Sequence, residues 1–74
     1  MADLNQETLQ FIIARLLKSA EETVTEQRQD PKDAFLQGKR LAYYEMLDIL
    51  RSELEAHGQD LKAFGLDRKI ENLA

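Results

Sequence analysis

Apolar and polar side chains alternate along the first third of the chain with the period of an amphipathic α-helix. Between residues 6 and 28, most of the apolar positions, together with two polar ones, lie within an arc of about 140° at 100° per residue. They are Leu9, Ile12, Ile13, Leu16, Leu17, Ala20, Thr23, Val24 and Gln27. Charged residues such as Arg15 and Lys18 occupy the opposite side. The pattern predicts a helix over 6–28, with Asn5 or Asp3 as its N-cap.

A sharp boundary follows at Asp30-Pro31. Proline disfavours helical geometry in the residue before it and is well suited to the first position of a helix. The sequence therefore predicts a second helix over 31–57, with Asp30 as N-cap and Gly58 just past its end. Because the connection is so short, the two helices are expected to be antiparallel neighbours.

The second helix also has a broad apolar arc. Its members are Phe35, Leu36, Ala42, Tyr43, Met46, Leu47, Ile49, Leu50 and Leu54, with His57 on the same line. The second helix also has two small residues one turn apart, Gly38 and Ala42. They indicate either close approach of another helix or a glycine tolerated on a solvated face.

The residues after Gly58 predict short helical turns over 60–73 rather than a third long helix. Asp60 can cap a turn over 61–64 that Gly65 ends, and Asp67 can cap a last turn through Leu73. The apolar residues of this segment favour docking, either on the hairpin or on a partner subunit. A frayed terminus after about residue 66 is the competing interpretation.

The composition favours an all-α fold and indicates that the chain needs a second stabilising factor besides its own core. The 74 residues include 12 Leu and 8 Ala but only five Ile and Val together, which favours helices over strands. A chain this short usually relies on disulfides, a metal or a second subunit, and it contains no cysteine and one histidine. We therefore expect one helical domain: an antiparallel two-helix hairpin plus a short C-terminal helical segment, pairing into a dimeric or higher bundle.

Several residues are candidates for the surface between subunits. Phe11, Leu41 and Tyr44 are large side chains that point away from the main apolar faces, so a hairpin core does not account for them. With the small pair and the C-terminal apolar residues, the candidate interface is Phe11, Gly38, Leu41, Ala42, Tyr44, Phe64, Leu66 and Ile70.

Candidate chemistry is sparse. His57 lies near the end of the second helix, where it can help cap the last carbonyls and pair with Glu53 one turn earlier. A candidate polar core consists of Arg40, Tyr43 and His57. These side chains either stabilise the packing of helices in a bundle or, alternatively, bind a small ligand or substrate. The Glu-x-x-His motif of di-iron bundles is absent. The sequence predicts no catalytic residue, cofactor or metal site, and hence a protein that is not an enzyme.

Charge and hydropathy narrow the function classes further. The net charge is −4 at pH 7 and the isoelectric point is about 4.9, which argues against nucleic-acid binding. The longest apolar run is only four residues, so neither a signal peptide nor a membrane span is expected. The leading hypothesis is a cytoplasmic, self-associating interaction module, with the dimer favoured and a further protein partner left open. An acidic regulator of a basic partner protein is a second alternative.

Overall fold

The chain forms a hairpin of two long helices followed by a short turn of 3₁₀ helix. The computed structural model describes residues 5–67 and residue 70. Helix α1 spans Gln6–Gln29, helix α2 spans Ala34–Ala56, and the 3₁₀ turn spans Leu61–Phe64. The described residues contain no strand, and the three elements all pack against one another. The predicted all-helical hairpin is confirmed; the last turn predicted through Leu73 lies mostly outside the described residues.

Helix α1 begins where its cap predicts. The Asn5 Oδ1 accepts a hydrogen bond from the backbone N–H of Thr8 at 2.8 Å, which satisfies one of the amides that a helix leaves without a partner. Glu7 adds an acidic side chain in the first turn, where the helix dipole is positive. Asn5 is therefore the cap, and α1 ends one residue later than predicted, at Gln29.

Helix α2 begins three residues later than the sequence predicts. Asp30 is the C-cap of α1, and its carbonyl accepts the N–H of Asp33 at 3.1 Å. This bond closes a turn with Pro31 in its second position, which proline favours because its φ is preset. The Asp33 carboxylate then accepts the N–H groups of Phe35 and Leu36 at 2.9 and 3.3 Å. The N-cap is Asp33 rather than Asp30, because proline serves a turn as well as a helix start.

Two glycines end the helical segments where the sequence predicts. Gly58, at φ +74°, donates its N–H to the Glu55 carbonyl, and Gln59 donates to the Leu54 carbonyl. This pair of bonds is a Schellman motif, which requires the left-handed backbone that glycine adopts without strain. Gly65, at φ +72°, ends the 3₁₀ turn that Asp60 caps. Helix α2 therefore ends at Ala56, with His57 as its C-cap.

The core is built more from α1 and the C-terminal segment than from α2. Its buried members are Ile13, Leu17, Ala20, Val24, Leu47, Phe64, Leu66 and Ile70. Four of these come from α1, three from the C-terminal segment and one from α2. The Gln10 Nε2 donates to the Ala63 carbonyl at 2.9 Å, which ties the 3₁₀ turn to α1. Of the two docking sites that the sequence left open, the C-terminal segment occupies the hairpin of its own chain.

Candidate interaction surface

The apolar arc of α2 is only partly covered by the rest of the chain. Leu36 and Leu47 are buried, and Tyr43, Leu50 and Leu54 are half-buried against the core. The other apolar members of the arc are exposed. They are Phe35, at 72% exposure, Ile49, at 62%, Met46, at 42%, and the small residue Ala42. We call these four residues the outer face of α2.

The outer face is a continuous stripe. At 100° per residue its four members fall within an arc of about 60°, centred about 120° from the line of Leu36 and Leu47. Helix α1 and the C-terminal segment fill the space beside that line, and the chain has no further described element to cover the outer face. The arc of α2 is therefore wider than its own chain can bury. On α1 the same is true of Ile12, which belongs to the apolar arc of that helix and is 43% exposed.

The predicted interface residues fall into three groups. Phe64, Leu66 and Ile70 are at most 5% exposed, so they pack in the core of their own chain, which is one of the two docking places that the sequence left open for them. Tyr44 is half-buried and packs against the same core. The remaining candidates are exposed; they are Phe11, Gly38, Leu41 and Ala42. Of these, Ala42 belongs to the outer face.

The three residues of the predicted polar core do not form one site. Arg40 Nη1 donates to Gln27 Oε1 at 2.7 Å, a bond that joins α2 to α1, and Tyr43 packs beside it against the core. His57 lies 17 residues after Arg40, which corresponds to roughly 25 Å along a helix. Its side chain is 74% exposed, and its Nε2 lies 3.5 Å from Glu53 Oε2. The surface pair of His57 with Glu53 is confirmed, whereas a shared site with Arg40 and Tyr43 is not formed.

Two shallow grooves lie beside the 3₁₀ turn. One, of about 690 Å³, lies between α1 and the turn and includes Phe11, Leu17 and Phe64. The other, of about 460 Å³, lies at the open end of the hairpin and includes Leu50, Glu53 and His57. Neither groove is lined by Arg40 or Tyr43.

Within the described residues, His, Asp and Glu side chains do not gather in any group of three or more that could hold a metal ion. In the same part of the chain, neither helix has the length and apolar content needed to cross a membrane. No protein-family model matches the chain, and no match was found among curated proteins or among solved structures. What the fold defines is a small all-α hairpin with an apolar stripe on the outer side of its second helix.

Gly38 lies on α2 close to the outer face, and its replacement by alanine is expected to stabilise the chain. A Cβ added at this position meets no atom within 4 Å, and alanine is favoured over glycine within a helix by about 0.5–1 kcal/mol. We expect Gly38→Ala to raise the free energy of unfolding by that amount in urea titrations at low chain concentration. Gly65→Ala is the control: the φ of +72° there predicts a loss of about 1 kcal/mol. A loss at both positions would contradict the helical backbone at Gly38.

Proposed function

We propose that this chain is a non-enzymatic protein–protein interaction module that associates with copies of itself. The observation that carries the proposal is the outer face of α2, on which Phe35, Met46 and Ile49 are between 42% and 72% exposed. Single exposed apolar residues are common on monomers, but a continuous stripe marks a surface that binds another molecule. Here the stripe runs along most of a 23-residue helix.

The expected strength of the association follows from the size of the stripe. A fully buried large apolar side chain contributes about 1.5–3 kcal/mol. Covering the exposed parts of Phe35, Met46 and Ile49 on both copies of a dimer therefore yields roughly 5–10 kcal/mol. This lies in the range of about 4–15 kcal/mol that association itself costs. The module should consequently bind reversibly, with a dimer population that depends on chain concentration.

The two other hypotheses from the sequence gain no support from the fold. A ligand-binding or catalytic bundle requires Arg40, Tyr43 and His57 to share a cavity, and the exposed His57 lies far along α2 from the other two. An acidic regulator of a basic partner rests on the net charge alone. The exposed apolar stripe favours self-association over both.

Replacing Ile49 by glutamate is expected to abolish the association. A charge at Ile49, the last member of the outer face along α2, would have to lose its hydration when the face is covered, which costs several kcal/mol. Sedimentation equilibrium between about 1 μM and 1 mM should show a mass that rises with concentration for the wild-type chain and stays at 8.6 kDa for Ile49→Glu.

Leu41→Glu is the matched control for this experiment. Leu41 lies on the same helix and is 51% exposed, but it is about 80° away from Ile49 around the helix axis. We expect Leu41→Glu to associate as the wild-type chain does. If the wild-type chain stays monomeric up to 1 mM, the proposal of self-association is wrong. If Leu41→Glu dissociates the assembly and Ile49→Glu does not, the self-association surface lies on the side of α2 that carries Leu41.

A further inference from the structure

The exposed side of α2 carries a heptad repeat of its own. One set of positions on α2 is spaced by seven residues, and a second set with the same spacing lies between the positions of the first. The first is Phe35, Ala42, Ile49 and Ala56, and the second is Lys39, Met46 and Glu53. The series alternate at intervals of three and four residues, which is the spacing of the core positions of a coiled coil. We call these seven residues the α2 seam; all are exposed in the single chain except Lys39, which is half-buried.

Charge is distributed unevenly along the same helix. Residues 34–41 include Lys39 and Arg40 and no acidic residue, whereas residues 45–56 include four acidic residues and only Arg51 as a basic one. The first turn of α2 has no acidic side chain and the last turn has no basic one. This order opposes the helix dipole, which favours acidic residues at the start and basic residues at the end. The uneven distribution of charge along α2 therefore does not serve to stabilise this helix in isolation.

The charges within the α2 seam are placed symmetrically. Lys39 precedes Met46 by seven residues and Glu53 follows it by seven. Within the described residues Lys39 forms no ion pair, and the Glu53 carboxylate pairs with the exposed His57, at 3.5 Å. An antiparallel copy of α2, related by a two-fold axis near Met46, would bring each Lys39 within about one helical turn of Glu53 of the other copy. A parallel copy would place Lys39 against Lys39 and Glu53 against Glu53.

We propose that the partner of the α2 seam is a second copy of this chain, bound antiparallel about an axis near Met46, with two reciprocal Lys39–Glu53 pairs that select this orientation. The inference rests on the self-association proposed above and specifies its geometry. Such an interface is isologous, so that the same surface serves both copies and the assembly closes as a dimer. Ala42 and Ala56 provide the small positions that let the helices approach, and the apolar members of the seam supply the buried area. Polar residues at core positions of a helix pair are known to fix its register and orientation.

Charge reversal tests the orientation. Lys39→Glu and Glu53→Lys each convert two attractive pairs of the antiparallel dimer into two repulsive ones, and each should weaken the dimer about tenfold. The double variant Lys39→Glu/Glu53→Lys restores both attractive pairs, so its dissociation constant should lie within about threefold of the wild-type value. Lys32→Glu and Glu55→Lys change the net charge equally at exposed positions outside the seam, and they should have little effect. Far-UV circular dichroism of each variant checks that the helices are retained.

The outcomes separate this inference from the proposed function. If the wild-type chain does not associate, self-association itself fails, and the geometry with it. If it associates but the two single reversals behave like their controls, self-association stands and the antiparallel seam is wrong, since a parallel pair merely exchanges one like-charge contact for another. If the single reversals weaken the dimer but the double variant does not recover, Lys39 and Glu53 do not face each other. Only weakening followed by recovery supports the proposal.

Discussion

Replacing Leu47 by alanine is expected to lower the free energy of unfolding by about 3–5 kcal/mol. Leu47 is completely buried and is the residue that α2 contributes to the central cluster. Its truncation removes apolar contacts and leaves a cavity between α1 and the C-terminal segment, which the rigid helices close only in part. Urea unfolding followed by far-UV circular dichroism measures the loss, at a chain concentration low enough that association does not contribute.

Leu41→Ala provides a matched control, since it makes the same substitution on the same helix at a position that is 51% exposed. We expect a loss below about 1 kcal/mol there. Lys18→Ala, on the solvated side of α1, should cost less than about 0.5 kcal/mol. Equal losses at Leu47 and Leu41 would mean that the buried face of α2 is assigned incorrectly.

The helices and their ends could be predicted because the signals are local. A 3.6-residue apolar period fixes a helix, and Asn5, Gly58, Asp60 and Gly65 act through hydrogen bonds and backbone angles within a few residues of themselves. The start of α2 was misplaced by three residues for an equally local reason. Both Asp30 and Asp33 can cap a helix, and the sequence alone does not show which of them a proline turn leaves in the capping position.

The division of α2 into a buried and an exposed side could not be predicted in the same way. Periodicity shows how wide an apolar arc is, but not which part of it a neighbour covers. That depends on where the C-terminal segment docks, which is a long-range property of the fold. Once Phe64, Leu66 and Ile70 fill one side, Phe35 and Ile49 are left in solvent. A signal was nonetheless present, because Phe35, Ala42, Ile49 and Ala56 repeat at intervals of seven residues.

The candidate polar core failed for a reason of distance rather than chemistry. Arg40 and His57 both border the apolar arc of α2, about 100° apart around the helix axis, but a helical wheel ignores their separation along that axis. That separation is roughly 25 Å. The contact that did form, from Arg40 to Gln27, follows from the antiparallel hairpin, which brings the end of α1 beside the start of α2.

Replacing Ile70 by aspartate is expected to abolish stable folding of the chain or to lower its free energy of unfolding by at least about 4 kcal/mol. Ile70 is completely buried, and an unpaired carboxylate in such a position costs several kcal/mol. The segment would undock to hydrate the charge, and Phe64 and Leu66 would leave the core with it. A 74-residue chain has a total stability of about 4–11 kcal/mol. The loss caused by Ile70→Asp is therefore comparable to the total stability of the chain. Urea titration of this variant should show a broad unfolding transition or none.

Ile12→Asp introduces the same charge on α1 at a position that is 43% exposed, where water still reaches the carboxylate. We expect it to cost no more than about 1 kcal/mol. A small change in the free energy of unfolding at both positions would mean that the hairpin is stable without its C-terminal segment. Ile13, Leu17 and Val24 would then be shielded from water by another element. The covering element would then have to come from a second chain, and a wider surface than the outer face of α2 would take part in self-association.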